Sequence, residues 1–156
     1  MDFTFSPEQE AVRDAVARIC AKYDDTYWLG RDTDGEFPED FVADIAAGGW
    51  LGIAMPEEYG GAGLGVTEAA IIAQTIAESG ACLSGASSIH MNLFGPMPVV
   101  VFGTAEQKER MLVPLIKGED RCCFGVTEPD AGLNTTAIST RAEKTGDHYV
   151  VHGRKM

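Results

Sequence analysis

The sequence contains little positive charge. Its 156 residues include 12 Lys and Arg against 24 Asp and Glu, which gives a formal net charge of −12. Proteins that bind nucleic acid or anionic membranes need clustered basic residues to neutralise phosphate groups. The composition therefore argues against both kinds of partner, and any anionic ligand must be attracted by local groups rather than by the overall field.

The sequence also lacks a hydrophobic run near eighteen residues, a disulfide framework and any Cys-x-x-Cys spacing. The four cysteines are Cys20, Cys82, Cys122 and Cys123. We expect them to be reduced and mostly buried. His148 and His152 would share a strand face, but no third ligand is near them, so no metal site is predicted. Because the first residues show neither a basic nor an apolar targeting pattern, we expect a cytoplasmic protein.

Helix signals dominate the first two-thirds of the chain. Ser6-Pro7-Glu8-Gln9 combines an N-cap serine, a proline at the first helical position and a glutamine at the third. Thr104-Ala-Glu-Gln107 is another capping box and predicts a helix through Leu112, followed by a short turn. Asp24 to Glu36 is rich in Asp and Gly, and we expect it to form a solvated loop.

Three further helical segments are predicted between these two capping boxes. One begins near Pro38 and ends at Gly48-Gly49, and one is capped by Thr67 and runs to Gly80. The third covers Leu83 to Phe102, where Gly95-Pro96 and Pro98 must divide it.

The hydrophobic periodicity changes after Gly118. Cys122 to Thr127 is strand-like, and Tyr149-Val150-Val151 is rich in β-forming residues. Thr145-Gly146-Asp147 would supply the turn of a hairpin. We therefore predict an α+β protein, with an N-terminal α-helical bundle domain over 1–118 and the first strands of a β-barrel-like domain over 119–156.

The segment Phe124-Gly-Val-Thr-Glu-Pro-Asp-Ala-Gly-Leu-Asn134 is the most informative part of the sequence. Gly132 has no Cβ and Pro129 fixes the chain direction, so backbone N–H groups in this loop could approach a ligand closely. The segment resembles the flavin-binding loop of the acyl-CoA dehydrogenases, whose usual form is aromatic-x-Val-Thr-Glu-Pro-x-Ala-Gly-Ser. Only the last position differs, because Leu133 stands where serine is usual.

Two more motifs resemble the same family and occur in the same order. The first is Trp50-Leu-Gly-Ile-Ala-Met-Pro-Glu-Glu-Tyr-Gly-Gly-Ala-Gly63, and the second runs from Gln107 to Gly118-Glu. The glycine-rich stretch has no G-x-G-x-x-G spacing and follows no parallel strand, so a Rossmann phosphate loop is not predicted. From its residues alone, the stretch would be a turn that packs Trp50 and Tyr59 against helices.

The family resemblance implies a set of site residues. Phe124, Val126 and Thr127 would line the flavin ring of FAD, with Gly132 and Leu133 near its pyrophosphate and the acyl-CoA. Leu133 offers a backbone N–H but no hydroxyl. His90 and Phe94 lie four residues apart on one helix face and would border the acyl pocket, although a partly buried histidine beside an aromatic residue is the simpler interpretation.

The resemblance also implies an activity: α,β-desaturation of an acyl-CoA thioester in fatty acid metabolism. Electrons would pass from FAD to an electron-transfer flavoprotein, and the usual assembly is a homotetramer. We assign no catalytic residue. Glu128 is a single acidic residue in a turn, which is usually a cap or a solvated group, and the family's base lies in a later helical domain.

Several alternatives stay open from the sequence. Acyl-CoA oxidases and flavin monooxygenases use a similar loop, and a non-catalytic helical assembly module belongs to another class altogether. The sequence stops at Met156, where members of the resembled family continue into a Trp-x-Thr motif that covers the flavin, so we expect a fragment. Such a fragment should neither hold FAD tightly nor turn over substrate.

Overall fold

A computed structural model describes residues 4–156. That part of the chain contains seven α-helices, short 3-10 turns and one antiparallel pair of strands. The helices are α1 (Pro7–Cys20), α2 (Asp25–Asp34), α3 (Glu39–Ala47), α4 (Val66–Ile76), α5 (Cys82–Phe94), α6 (Met97–Phe102) and α7 (Ala105–Ile116). The strands are β1 (Arg141–Thr145) and β2 (His148–His152).

The two predicted capping boxes are both present. The Ser6 hydroxyl accepts the N–H of Gln9 at 3.2 Å, and the Gln9 side chain accepts the N–H of Ser6 at 3.0 Å. Thr104 and Gln107 make the same reciprocal pair at the start of α7. Each box satisfies donors that a helix start otherwise leaves unpaired.

Helix α2 lies where the sequence predicted a solvated loop, so that prediction was wrong. Asp24 caps the helix by accepting the N–H of Tyr27, and Gly35 ends it with φ 72°. Trp28 is buried, and its ring makes edge contacts with Tyr27 and Phe41. Aromatic packing of this kind outweighs the low helix propensity of the Asp and Gly residues.

The predicted cap at Thr67 was also wrong. The N-cap of α4 is Gly65, two residues earlier, and the side chain of Glu68 accepts its N–H at 3.0 Å. At the other end, a π-helical turn over Ala77–Ala81 joins α4 to α5, and Gly80 there has φ 94°. The predicted division after α5 is confirmed, since Gly95 and Pro96 separate it from α6.

Helix α7 continues through a proline that the sequence analysis placed in a turn. Pro114 lacks an N–H, yet Leu112, Leu115 and Ile116 are all buried. Burial of this apolar face outweighs the one backbone hydrogen bond that proline removes. The helix gives way at Gly118, whose φ is 73°.

The main core lies between the helices of the first part of the chain. Its fully buried side chains include Val16 of α1, Phe41 and Ile45 of α3, and Ile72 of α4. Helix α5 adds the apolar positions Ile89 and Leu93 to the same core. No helix within 4–156 is long and apolar enough to cross a bilayer.

The predicted hairpin is confirmed, with Thr145 paired to His148 and Arg141 paired to His152. Gly146 has φ 64°, as a tight two-residue turn requires. The predicted strand from Cys122 to Thr127 does not form. A strand needs a ladder partner, and no other strand in the described residues pairs with this segment.

The described chain is thus α+β: a helical part followed by a short two-stranded sheet. It divides into two compact units, a helical unit that ends at Cys122 and a hairpin unit over Cys123–Met156. The assignment of 1–118 and 119–156 to a dehydrogenase-like domain and an incomplete flavin-carrying domain stays a prediction.

Candidate flavin-binding edge and substrate helix

Glu128 is the best-satisfied charged group of the hairpin unit. It is buried, and its two carboxylate oxygens accept the N–H groups of Ser139 at 2.7 Å and Thr140 at 3.0 Å. The hydroxyl groups of Ser139 and Thr140 also donate to the Glu128 carboxylate. Lys155 Nζ adds an ion pair at 3.0 Å.

These donors decide the chemistry of Glu128. The Thr140 hydroxyl, the Ser139 N–H and hydroxyl, and Lys155 hold the pKa of the carboxyl well below its usual range. A carboxylate so strongly stabilised in its ionised form is a poor proton acceptor. The sequence left two alternatives for Glu128, a cap or a solvated group, and its burial excludes the solvated one. Its exclusion as a catalytic base stays a prediction.

The carbonyl groups next to Glu128 are also held. Lys155 Nζ donates to the carbonyl oxygen of Val126 at 2.9 Å, and the N–H of Met156 donates to the carbonyl oxygen of Thr127 at 2.9 Å. A bridge between Glu128 and Ala131 closes the turn. The segment 126–131 is thus held by residues that lie far away along the chain.

The backbone N–H groups at the start of this segment are unpaired among the described residues. Within 4–156, the N–H groups of Phe124, Gly125, Val126 and Thr127 and the Thr127 hydroxyl make no hydrogen bond. The Phe124 side chain is 58% exposed. We call residues 124–127 with these groups the donor edge. Unpaired donors beside an exposed aromatic ring can take a planar, polar-rimmed ligand.

The predicted pyrophosphate residues lie in the exposed turn after Ala131. Leu133 is fully exposed, and an added Cβ at Gly132 would meet no atom within 4 Å. Gly132 does not have positive φ, so this turn does not by itself require glycine. Both residues belong to the hairpin unit, as does the donor edge.

The predicted substrate residues are in the helical unit. His90 is exposed and Phe94 half-buried on α5, with ring centroids 6.1 Å apart. Their shared helix face is as predicted. Their role at a substrate stays a prediction.

Asn92 lies between these two residues in sequence and was missed by the sequence analysis. It is buried, its Nδ2 donates to the carbonyl oxygen of Asp120 at 3.3 Å, and its Oδ1 accepts the N–H of Cys122 at 3.1 Å. The side chain therefore fastens the end of the helical unit to α5. A polar residue beside Leu93 on an apolar face was the only sequence signal for it.

The burial of the cysteines differs from the prediction. Cys20 alone of the four cysteines is buried, so the prediction of mostly buried thiols was wrong. None of them is in a disulfide in the described chain. Over the same residues, no group of three or more His, Cys, Asp or Glu is arranged to hold a metal ion.

Comparison with known proteins defines the class. A model of the acyl-CoA dehydrogenase N-terminal domain matches residues 6–119. The chain therefore belongs to the acyl-CoA dehydrogenase family.

Individual relatives agree with this assignment. The chain is similar to a 3-(aryl)acrylate reductase of Clostridium sporogenes, with 40% identity over 80% of this chain and 33% of the relative. It is 36% identical to a short-chain-specific acyl-CoA dehydrogenase of Clostridium acetobutylicum, over 100% of this chain and 41% of the relative. The solved butyryl-CoA dehydrogenase from Megasphaera elsdenii superposes with a TM-score of 0.80 at 28% identity, over 98% of this chain and 41% of that one. The chain thus spans roughly two-fifths of the length of its relatives or less.

Acyl-CoA dehydrogenases are FAD-dependent oxidoreductases, so the donor edge can be tested for its fit to a flavin. Unpaired N–H groups and a hydroxyl suit the polar pyrimidine edge of the ring, and the exposed Phe124 suits its apolar part. The residues present in this segment fit one wall of such a site.

Proposed function

We propose that the chain forms the substrate helix and one flavin-contacting wall of an FAD-dependent acyl-CoA dehydrogenase. The observation that supports this most strongly is the donor edge, where Lys155 bonds both Glu128 and the Val126 carbonyl oxygen while the N–H groups of Val126 and Thr127 are left unpaired within 4–156. It coincides with the segment whose sequence resembles the family's flavin loop.

The proposed reaction is α,β-desaturation of an acyl-CoA thioester. When bound, FAD would accept the hydride that leaves the β-carbon, while a carboxylate supplied outside the described residues takes the α-proton. The role of this chain is to bind and orient. Thr127 and the N–H groups of Val126 and Thr127 would hold the polar edge of the flavin, and Phe124 would exclude water from its ring.

The remaining assignments are part of the same proposal. Gly132 and Leu133 would approach the pyrophosphate through backbone groups, and His90 and Phe94 of α5 would border the acyl chain. An electron-transfer flavoprotein would be the acceptor, and the assembly would be a homotetramer. A cytoplasmic location and a place in fatty acid metabolism are part of the same proposal.

Flavin binding by the natural full-length protein tests the proposal. Wild-type protein should bind FAD, and Thr127→Val should weaken binding while Thr127→Ser retains it, because serine keeps the hydroxyl. Ser87→Ala on the exposed face of α5 is the control. Colourless wild-type protein that takes up no FAD would contradict the proposal and favour a non-catalytic helical module.

The reaction itself needs a second measurement. Anaerobic addition of an acyl-CoA should bleach the flavin absorbance, and reoxidation should depend on an acceptor protein. Fast reoxidation by oxygen would instead indicate an oxidase.

A second candidate is reduction of an α,β-unsaturated acid derivative, which is the same carbon–carbon chemistry in reverse. The 40% identity to a relative named as a 3-(aryl)acrylate reductase favours testing it. Chemically reduced protein that is reoxidised by an arylacrylate compound, and that is not reduced by saturated acyl-CoA, would support this alternative.

A further inference from the structure

The hairpin unit buries very few side chains, and one of them is the charged residue Glu128. Among residues 123–156, Glu128 and Ala131 are the only buried side chains. Burying a carboxylate is costly unless hydrogen bonds and an opposite charge compensate for the lost water. Glu128 receives this compensation from Ser139, Thr140 and Lys155.

Lys155 connects that carboxylate to the donor edge. Its ammonium group lies 3.0 Å from Glu128 Oε1 and 2.9 Å from the carbonyl oxygen of Val126. One cation therefore contacts both the side chain of Glu128 and the backbone two residues before it. The N–H of Met156 extends the same contact to the carbonyl oxygen of Thr127.

As a result, the backbone carbonyl groups and N–H groups of this segment differ in their hydrogen bonding. The carbonyl groups of Val126 and Thr127 are occupied, whereas their N–H groups and the Thr127 hydroxyl have no partner in the described chain. Donors that are held in place before a ligand arrives lower the ordering cost of binding.

We propose that Glu128 and Lys155 act as a positioning pair that fixes Val126 and Thr127 so that their donors meet the flavin. The inference rests on the proposed function. It adds two residues, neither of which needs to touch the flavin. Their effect passes through the backbone of the donor edge.

The test uses the natural full-length protein with FAD and the variants Glu128→Gln and Lys155→Met. Glutamine keeps the shape of the side chain and removes its charge, and methionine keeps most of the length of the lysine stem. Glu143→Gln is the matched control, because Glu143 is an exposed carboxylate on β1 in the same unit. The measurements are the FAD dissociation constant, the visible circular dichroism of bound flavin and the thermal midpoint.

Both variants should raise the FAD dissociation constant roughly tenfold and change the visible circular dichroism in the same way. The double variant should be no weaker than the worse single variant, because the two residues act as one unit. Glu143→Gln should match wild type. A purely structural role would lower the thermal midpoint without altering the spectrum of the bound flavin.

Wild-type affinity and wild-type flavin spectra in both variants would overturn the inference while leaving the proposed function intact. Wild-type protein that binds no FAD would overturn both. If Glu128→Gln does not fold, Lys155→Met and Lys155→Arg decide. The inference requires that arginine retains more affinity than methionine, and equal affinities would refute it.

Discussion

At the scale of single residues, the buried carboxylate of Glu128 organises the hairpin unit. Its partners Ser139, Thr140 and Lys155 are 11, 12 and 27 residues away. Local sequence could identify Glu128 as a turn residue, but it could not show that distant segments return to surround it. These long-range partners keep the carboxylate of Glu128 out of water and make it a poor proton acceptor.

The low pKa of Glu128 makes the hairpin unit sensitive to acid. The pKa of an unfolded glutamate is about 4.3, whereas hydrogen bonds from Thr140 and Ser139 keep the pKa of the folded carboxyl well below that value. In acid the unfolded state therefore binds more protons than the folded state, so stability falls as pH falls. The loss begins as pH drops below about 5 and continues as the folded carboxyl takes up its proton.

The amide signals of Ser139 and Thr140, followed by nuclear magnetic resonance from neutral pH to pH 2, would report this loss. Glu128→Gln should remove most of the acid dependence. Asp147 also has a lowered pKa, through His148, and accounts for a remainder that Glu128→Gln retains. Identical acid profiles for wild type and Glu128→Gln would disprove the assignment.

Asn92 is the corresponding polar anchor of the helical unit. Asn92→Ala removes both hydrogen bonds to the 120–122 segment, so we expect a loss of roughly 1–3 kcal/mol in the free energy of unfolding. Urea unfolding followed by the fluorescence of Trp28 and Trp50 would measure it. Ser87→Ala, on the exposed side of the same helix, should stay within about 0.5 kcal/mol of wild type. Equal midpoints for the two variants would contradict the anchoring role.

At the scale of elements, the sequence predicted those whose signals are local. Capping boxes at Ser6 and Thr104 and the turn before His148 depend on neighbours three or four residues apart, and all three are present. Helix α2 was missed because its stability comes from aromatic contacts with α3. The expected strand at 122–127 was wrong because strand formation depends on a partner, which no local pattern supplies.

The glycine-rich stretch 50–63 after α3 was interpreted as an irregular turn. In the structure its backbone is closely packed and joined by hydrogen bonds. Ala62 N–H bonds to the carbonyl oxygen of Gly52 at 2.9 Å, and Gly63 N–H bonds to that of Met55 at 2.8 Å. A Cβ on Gly61 would overlap the carbonyl oxygen of Met55 and lie 2.8 Å from that of Gly52. These obstacles are backbone atoms, which cannot rotate away.

Gly61→Ala should therefore destabilise the helical unit by roughly 2–4 kcal/mol. Gly30→Ala is the matched control, since Gly30 lies inside α2 and its Cβ would meet no atom within 4 Å. That control should gain roughly 0.5–1 kcal/mol from helix propensity. Thermal or urea unfolding of the two variants and the wild type would measure the expected loss of stability and the expected gain. Wild-type stability in Gly61→Ala would show that the loop can shift.

At the scale of the whole molecule, the two units differ in how they are held together. The helical unit has a core of aliphatic and aromatic side chains from α1, α3, α4 and α5. The hairpin unit has exposed residues at every position of β1 and β2 and relies on hydrogen bonds and one ion pair. Two-stranded hairpins without an apolar core are at best marginally stable in water.

Hydrogen exchange of this 156-residue chain should therefore show two levels of protection. Amides of α1, α4 and α5 should exchange only through opening of the core, whereas amides of β1 and β2 should exchange at least roughly tenfold faster through local opening. Helix α6, which contains no buried residue, is an internal reference for fast exchange within the helical unit. Glu128→Gln should accelerate exchange in the hairpin unit and leave α1 and α4 unchanged, because its partners all lie within 123–156. Equal protection of β1 and α4 would mean that the units unfold together, and the carboxylate of Glu128 could not then be the main stabilising group of a separate hairpin unit.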